Sequence, residues 1–361
     1  MGQEHSGFPF LKNETIALPN PPGEGRIAKG DPRWDGGGAA DNGSAAPTAG
    51  LSPPPSPLTR ADPPVSGGGG HVPRVGDNAP IPSSRNEALD AAAVTFAANR
   101  AVGHVSLALA ATPRGTERTI TREDGSLRVR FPKTGAGAPE AVLVNTAGGI
   151  AGGDRFAVNL ALGAGAQLTV TTAAAEKIYR SLGPDACVDV RATLADDAEL
   201  TWVPQETILF DRARLARTIT IALAASAKLL LAETIVFGRS AMGETVHEGS
   251  FADHWRVRRD GRLIFAENFR LDGRVTERLN QAAVAGGCPA IGTLLAVPGD
   301  DTAVAAVRIV SGEFRGEVGI SAWNGLALAR LAARDGVTLR HDLSVLLSAL
   351  GHRALPRIWL S

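Results

Sequence analysis

The sequence LGAGAQL occupies residues 162–168, and LADDAEL at 194–200 and LAASAKL at 223–229 repeat its pattern about every 30 residues. In each copy an alternating apolar and polar run ends in Leu, a short turn follows, and a second Leu opens the next run. Such alternation is typical of strands with one buried face. Self-similarity of this period is typical of stacked units that bury a face against their neighbours. We therefore predict a mostly β fold, a β-helical or layered stack of sheets, the alternative being three unrelated hairpins.

Residues 1–84 differ in composition from the rest of the chain. They contain 15 prolines and 15 glycines, including the run at residues 67–70, and few apolar residues that could form a core. A segment of this composition cannot bury enough apolar surface to offset the entropy of folding. We therefore predict a disordered Pro/Gly-rich tail at residues 1–84 and a folded β domain at residues 85–361.

Turn and helix signals complete the prediction of secondary structure. Asp124-Gly125 and Asp260-Gly261 lie between alternating runs, where an Asp-Gly pair favours a two-residue hairpin turn. Helices are expected at the ends of the folded domain, a few of them near the C-terminus, because Leu and Ala recur there at helical spacing. The candidate helices are residues 86–100, 322–334 and 342–350, with Gly336 and Gly351 as stop signals after the last two.

The overall composition disfavours several classes of function. The 37 basic and 37 acidic residues give a formal net charge of zero, so no general field favours nucleic acid or an anionic membrane. Cys187 and Cys288 are the only cysteines, too few for a disulfide framework and without the spacing of a zinc site. No run resembles a membrane span or a secretory signal. We expect a cytoplasmic protein that binds neither nucleic acid nor membranes.

The glycine-rich segment NTAGGIAGGD, residues 145–154, lacks the Lys-Ser or Lys-Thr of a phosphate-binding loop and leads into an alternating run. Its glycines are better explained by positive φ angles or close approach of packed strands. Asp154 is expected to pin the turn by accepting hydrogen bonds from backbone N–H groups. The sequence also lacks a G-x-S-x-G nucleophile elbow, so the motifs favour a binding protein over an enzyme.

A second repeat places a glutamate in each unit, in EKI at residues 176–178, ETI at 206–208 and ETI at 233–235. These glutamates follow the repeat leucines by 8, 6 and 4 residues, and even spacing keeps each on the face of its leucine unless Pro204 breaks the parity. A carboxylate on a buried face is costly unless it is paired, hydrogen-bonded, metal-bound or hydrated. The pattern predicts either a polar lining inside the domain or ion-paired and solvent-facing glutamates at strand ends.

Several separate blocks of the sequence resemble the UreD family of urease accessory proteins, also called UreH, and they follow one another in the order that is typical of this family. Separated blocks in the correct order are far more specific than one glycine-rich loop. The resemblance covers roughly residues 95–361 and does not extend to the tail. The blocks are SLRVRFP at 126–132, NTAGGIAGGD at 145–154, TTAAAEKIYRS at 171–181, PQETILF at 204–210, ETIVFGRSAMGE at 233–244 and LPRIW at 355–359.

The resemblance implies a fold and a function. UreD-like proteins have a mostly β, helically stacked fold, bind UreF, and through UreF recruit the GTPase UreG. The assembly docks on apo-urease and assists GTP-dependent insertion of nickel. The resemblance thus implies a non-enzymatic scaffold with no permanently bound cofactor and transient contact with nickel, which it conducts toward the active site. Two alternatives stay open, a purely structural adaptor without a metal role and an unrelated hydrolase.

The matched motifs supply two sets of candidate residues, none of them catalytic and none forming an identified set of permanent metal ligands. Hard oxygen ligands attract a divalent ion without trapping it, which favours a nickel path along five carboxylates: Asp154, Glu176, Glu206, Glu233 and Glu244. The remaining motif positions are expected to build structure or to contact a partner. They are Asn145, Gly148, Gly149, Gly153, Thr171, Thr172, Lys177, Tyr179, Pro204, Gln205, Gly238, Arg239 and Gly243.

Overall fold

The structure is a computed structural model that describes residues 99–133, 138–239, 242–350 and 356–359. The predicted tail at residues 1–84 lies outside the described residues, as does almost all of the predicted helix at 86–100. The predicted folded domain is therefore described from residue 99 onward.

The described residues form 17 β-strands and three α-helices. The strands are β1 (Val102–Thr112), β2 (Gly115–Gly125), β3 (Leu127–Arg130), β4 (Glu140–Asn145), β5 (Arg155–Leu162), β6 (Gln167–Thr172), β7 (Glu176–Ile178), β8 (Ala186–Leu194), β9 (Glu199–Trp202), β10 (Thr207–Leu209), β11 (Arg214–Leu223), β12 (Lys228–Phe237), β13 (Gly249–Arg259), β14 (Arg262–Gly273), β15 (Ala290–Val297), β16 (Glu317–Trp323) and β17 (Leu326–Ala333). The helices are α1 (Val275–Leu279), α2 (Asp301–Ile309) and α3 (Gly336–Ala349), and short 3₁₀ turns occupy Ser311–Glu313 and Arg357–Trp359.

The strands build two sheets. One has seven strands in the order β14-β13-β11-β8-β5-β1-β2. The other has ten, in the order β16-β17-β15-β12-β9-β6-β4-β3, with β10 beside β12 and β7 beside β10. Strands β1, β5, β8, β11 and β13 run parallel in the first sheet, and β4, β6, β9 and β12 run parallel in the second. Because the chain alternates between the sheets, each pair such as β5 and β6 forms one coil. The predicted β-helical stack is confirmed.

The leucine repeat sets the register of these coils. Leu194 pairs with Leu162 on one side and with Leu223 on the other in the seven-stranded sheet. Leu200 pairs in the same way with Leu168 and Leu229 in the ten-stranded sheet. These leucines are all buried in the core between the sheets. Burial of a leucine stabilises a fold by roughly 1.5–3 kcal/mol, so aligned leucine rows favour this register over a slipped one.

Helices α2 and α3 cover the outer face of the ten-stranded sheet and form a second core, whereas α1 packs against the core between the sheets. Helix α3 buries Leu339, Leu343, Leu346 and Leu347 against it, a spacing that puts all four on one helical face. Asp335 caps the start of α3 by accepting a hydrogen bond from Thr338 N at 2.7 Å. Among the described residues, no helix has the length and apolar character that crossing a membrane would require.

One predicted helix is wrong. Residues 322–334 form the end of β16, a turn and the whole of β17 rather than a helix. Asn324 and Gly325 have φ angles of 49° and 75° and form the tight turn between the two strands. Strand β17 pairs with β15 on its other side, so pairing and burial override the helix propensity of Leu and Ala. The helix predicted at 342–350 is confirmed within α3, but Gly336 is its first residue rather than a stop signal.

The two Asp-Gly signals have different outcomes. Asp260 and Gly261, with φ angles of 48° and 77°, form the predicted hairpin turn between β13 and β14. At Asp124-Gly125 the chain instead leaves β2 in the seven-stranded sheet and enters β3 in the ten-stranded sheet. Gly125 has a φ of 62° at this crossing, and a Cβ there would lie 1.8 Å from Val102 O. The glycine thus permits a change of sheet and not a hairpin.

Candidate functional site between the sheets

A cavity of about 90 Å³ lies between the two sheets, beside the segments that carry the sequence motifs. This volume is large enough for several water molecules. Most of the lining is apolar and includes Leu143, Ile178 and Trp202. The polar residues in the lining are Asn145, Thr172, Glu176, Gln205, Thr207, Arg217 and Glu233. The cavity can therefore hold water or a small ion against a few defined polar groups.

A buried charge cluster centred on Arg217 forms one wall of the cavity. The Arg217 guanidinium donates to both carboxylate oxygens of Asp253, at 3.0 and 2.6 Å, and to Glu233 Oε2. Trp202 Nε1 donates to Glu233 Oε1 at 2.8 Å. The three charged side chains are between 4% and 8% exposed. One cation thus holds two carboxylates in a medium where an unpaired charge is very costly.

The pKa values of this cluster are governed by burial and by mutual attraction. Burial alone lowers the pKa of the Arg217 guanidinium, but the charges of Asp253 and Glu233 outweigh it and raise that pKa above its usual range. Burial raises the pKa of Glu233, Arg217 opposes the rise, and repulsion from Asp253 adds to it. Arg217 therefore stays charged. Both carboxylate oxygens of Glu233 already accept hydrogen bonds, one from Arg217 and the other from Trp202.

Glu176 is the second carboxylate of the cavity, and its environment differs. Burial raises its pKa to about 7, although a hydrogen bond from Asn145 and the charge of Lys177 act in the opposite direction. Asn145 Nδ2 donates to Glu176 Oε1 at 3.1 Å and to Gly149 O at 3.0 Å, so one side chain links the glycine-rich loop to this carboxylate. Glu176 can thus gain or lose a proton near neutral pH, and among the described residues no arginine or lysine forms an ion pair with it.

Glu206 does not share the face of Glu176 and Glu233, so the predicted common side of the three glutamates is wrong. Thr207, and not Glu206, pairs with Glu176 in the strand register. Trp202 and Thr207 both line the cavity although they are five residues apart, so the alternation breaks once in the segment 203–206, which contains Pro204. Proline favours such a break because its ring fixes φ and because it has no backbone N–H to donate to a neighbouring strand. Pro204 is the residue that, from the sequence alone, could break the alternation.

Glu206 instead points to α3. Arg340 Nε and Nη2 donate to its two carboxylate oxygens at 2.7 and 2.9 Å. Arg340 Nη2 also donates to Gln205 Oε1 at 2.6 Å, and the guanidinium carbon lies 5.4 Å from the centre of the Trp359 ring. Trp359 Nε1 donates to Thr171 Oγ1 at 3.1 Å. The motif residues Thr171, Gln205 and Glu206 therefore join the ten-stranded sheet to α3 and to the end of the chain.

Asp154 is buried and pins the glycine-rich loop, as predicted. Its two carboxylate oxygens accept from Ala101 N at 2.8 Å and Ala151 N at 2.7 Å. In the same loop Gly149 has a φ of 147°, and a Cβ there would lie 2.4 Å from the Tyr179 ring. The glycines of this loop thus allow positive φ angles and a close approach between the backbone and a neighbouring ring. Gly148 and Gly153 also have positive φ angles.

Glu244 lies at the rim of the fold in a surface ion pair. Arg239 Nε and Nη2 donate to its two oxygens at 2.7 and 3.0 Å, and this hydrogen bonding lowers the pKa of Glu244. The Arg239 guanidinium carbon lies 4.3 Å from the centre of the Phe210 ring, and that ring packs edge-to-face on Tyr179 at 5.3 Å. Gly238 and Gly243 supply positive φ angles in this loop.

Two further motif positions, Thr172 and Lys177, have defined places. Thr172 Oγ1 accepts from Gln205 N at 2.9 Å, and Thr172 O accepts from Gln205 Nε2 at 3.1 Å, which cross-links two coils. Lys177 is exposed on β7 next to Glu176. Of the five predicted path residues, the structure brings only Glu176 and Glu233 together at the cavity. The nickel path itself stays a prediction.

Sequence reasoning missed the two arginines that organise the carboxylates. Arg217 lies at an inward position of β11, between Leu215 and Ile219, so a charged residue in the apolar phase of an alternating run was the available signal. Arg340 gave no such signal, because its partners lie more than 130 residues away in the chain. Among the described residues, no group of three His, Cys, Asp or Glu is arranged to hold a metal ion.

The fold and the cavity define a class of protein, a two-sheet β-helix whose motif residues serve turns, cross-links between coils and one charged internal cavity. The family model described as UreD urease accessory protein matches residues 101–360. This chain belongs to the UreD family of urease accessory proteins, as the sequence blocks predicted.

Curated relatives agree with this assignment. The urease accessory protein UreD of Rhodopseudomonas palustris strain BisB5 is 54% identical over 279 residues, which cover 77% of this chain and 99% of that protein. The corresponding protein of strain BisA53 is 56% identical over 266 residues, covering 74% and 93%. Urease accessory protein UreD 3 of Bradyrhizobium sp. strain BTAi1 is 52% identical over 277 residues, covering 77% and 100%. The names describe accessory proteins, which suggests a role other than catalysis.

Proposed function

We propose that this chain is a scaffold in urease maturation, which binds UreF, recruits the GTPase UreG through UreF, and docks on apo-urease to assist GTP-dependent nickel insertion. The observation that carries the proposal is the match to the UreD family over residues 101–360. The use of the motif residues supports it, because most of them cross-link coils, fix turns or join the sheet to α3. A rigid stack with exposed loops along its edges is suited to holding other proteins in place.

Nickel enters this proposal as transient cargo and not as a resident cofactor. Glu233 is committed to Arg217 and Trp202, which leaves Glu176 as the carboxylate in the cavity that a cation can approach. Burial raises the pKa of Glu176 to about 7, so a divalent cation can displace its proton near neutral pH. Thr172 and Thr207 lie in the same lining, and hydroxyl oxygens suit weak, reversible contacts with a cation.

The scaffold role is tested by removing this chain from a urease-producing cell. We expect urease activity to fall to background and to return with the full-length chain, while urease protein levels stay unchanged. Purified chain is expected to retain UreF and, with UreF, apo-urease. Full urease activity without this chain, or a chain that retains neither partner, would contradict the scaffold.

A purely structural adaptor is the second candidate, and a specific observation favours it. Asp154, Glu206 and Glu244 are each fully engaged by backbone N–H groups or by an arginine. The two candidates share complex formation and differ in the effect of Glu176→Gln. The adaptor predicts normal nickel delivery by that variant, whereas a cargo route through the cavity predicts a loss.

A further inference from the structure

The edge of the fold beside the repeat turns, where Asp260 N donates to Leu223 O at 2.9 Å, carries an unusual arrangement of arginines. Arg259 and Arg262 flank the Asp260-Gly261 turn and pair directly across β13 and β14. Like charges at directly opposed positions of antiparallel strands destabilise the pair. Among the described residues, neither arginine forms an ion pair, and the only carboxylate of the turn itself is Asp260.

Arg259 also has an unmet hydrogen-bonding requirement. Its Nε is buried and has no acceptor among the described residues, although a buried donor without a partner costs about 1–3 kcal/mol. Its position in the inward phase of β13, after the buried Trp255 and Val257, directs it toward the ten-stranded sheet. A carboxylate bound between the two guanidinium groups would offset the repulsion between Arg259 and Arg262, and it would reach the buried Nε only if the Arg259 side chain moved.

The turn between β16 and β17 lies against Arg259. Arg259 Nη1 lies 3.5 Å from the position that a Cβ of Gly325 would occupy, so the two turns are in contact. Trp323 pairs directly with Leu326, and directly opposed residues share a face. Leu326 is fully buried in the core between the sheets, so Trp323 also faces the seven-stranded sheet. Trp323 is 40% exposed, an available aromatic surface beside two arginines.

We propose that the site formed by Arg259, Arg262 and Trp323 binds an acidic segment of a protein partner, with a carboxylate between the guanidinium groups and an apolar side chain against the indole. Arginine and tryptophan are the residues most enriched at the energetic centres of protein interfaces. A carboxylate accepts from guanidinium groups in fixed geometry. The zero net charge of the chain and the presence of only two arginines in this site argue against nucleic acid, which needs a longer basic track.

This inference rests on the proposed function for its test, because the partners available to assay are UreF and apo-urease. Arg259→Glu/Arg262→Glu is expected to weaken binding of one of the two at least tenfold. The control is Arg118→Glu/Arg122→Glu on the exposed strand β2, which changes charge by the same amount and is expected to leave both affinities within twofold. An Arg259→Glu/Arg262→Glu variant that binds both partners within twofold of wild type overturns the inference and leaves the scaffold intact. Wild-type chain that binds neither partner overturns the scaffold first.

A second measurement uses the purified chain alone. Arg259→Gln is expected to raise the thermal midpoint, because it removes the repulsion from Arg262, and at the same time to abolish binding of a hexaglutamate peptide followed by tryptophan fluorescence. Trp323→Phe is expected to abolish the fluorescence change. Peptide binding that persists in Arg259→Gln contradicts the inference, and so does tighter binding of a single-stranded oligonucleotide than of the peptide.

Discussion

Two arginines hold glutamates of the same sequence repeat, one inside the stack and one outside it. Arg217 holds Glu233 and Asp253 between the sheets, where its side chain is 5% exposed. Arg340 holds Glu206 against the outer face of the ten-stranded sheet, where its side chain is 29% exposed. The difference shows that position in a repeat does not fix the role of a charged residue. The change in stability on breaking each ion pair depends on how far the pair is shielded from water.

The largest expected effect is at the inner arginine. Arg217→Met leaves Glu233 and Asp253 buried without a cation, and breaking a buried pair in this way costs about 3–5 kcal/mol. Urea unfolding of the variant and of wild type measures the loss. The triple variant Arg217→Met/Glu233→Gln/Asp253→Asn removes the orphaned charges and is expected to recover much of it. A loss below about 1 kcal/mol in the single variant would show that water reaches this cluster.

Glu176 is expected to make stability depend on pH. Its pKa is raised from 4.5 to about 7 in the folded chain, so the unfolded chain ionises first as pH rises, and stability is lost between these values. The full shift corresponds to at most about 3 kcal/mol. Glu176→Gln removes this titration and keeps the acceptor for Asn145. The stability of the variant relative to wild type should therefore rise between pH 5 and pH 8, and parallel unfolding curves across that range would contradict the raised pKa.

The outer arginine is expected to have the smallest effect. A double-mutant cycle with Arg340→Ala and Glu206→Ala should give a coupling energy of about 1 kcal/mol, since the pair is partly exposed and bidentate. Loss of Arg340 should also change the fluorescence of Trp359, which packs beside it. A coupling energy as large as that between Arg217 and Glu233 would remove the distinction between the inner and the outer cluster.

The sequence predicted what depends on local periodicity. The leucine copies align in register because a one-residue slip would turn each leucine out of the core. The Asp260-Gly261 hairpin was predictable because its turn type needs two positive φ angles, which Asp-Gly tolerates. The dipeptide Asn324-Gly325 is the same kind of turn signal. The Leu and Ala residues on either side of it favoured a helix instead, and this is why the turn was not predicted.

The sequence did not predict what depends on pairing across the fold. Asp253 lies 36 residues from Arg217 in the chain, and only the stacking of coils brings the two together. The alternation between the two faces shifts within the segment that contains Pro204, so Glu206 lies on the other face from the one predicted. No local sequence rule gives the number of residues in such an interruption. The crossing between sheets at Gly125 cannot be told from a hairpin turn by its sequence, because both kinds of turn use a glycine at a positive φ angle.

In the function proposed for it, the chain holds the maturation complex together, and Glu176 passes nickel through the cavity between the sheets. The most direct measurement is the nickel content per active site of urease that was activated with Glu176→Gln, compared with wild type and with Glu117→Gln on the exposed strand β2. We predict that all three chains retain UreF and apo-urease, and that urease activated with Glu176→Gln holds less than about a tenth of the normal nickel, a loss on the scale of replacing a metal-contacting group. Normal nickel content with Glu176→Gln, in a complex that is otherwise complete, would contradict the route and leave a structural adaptor.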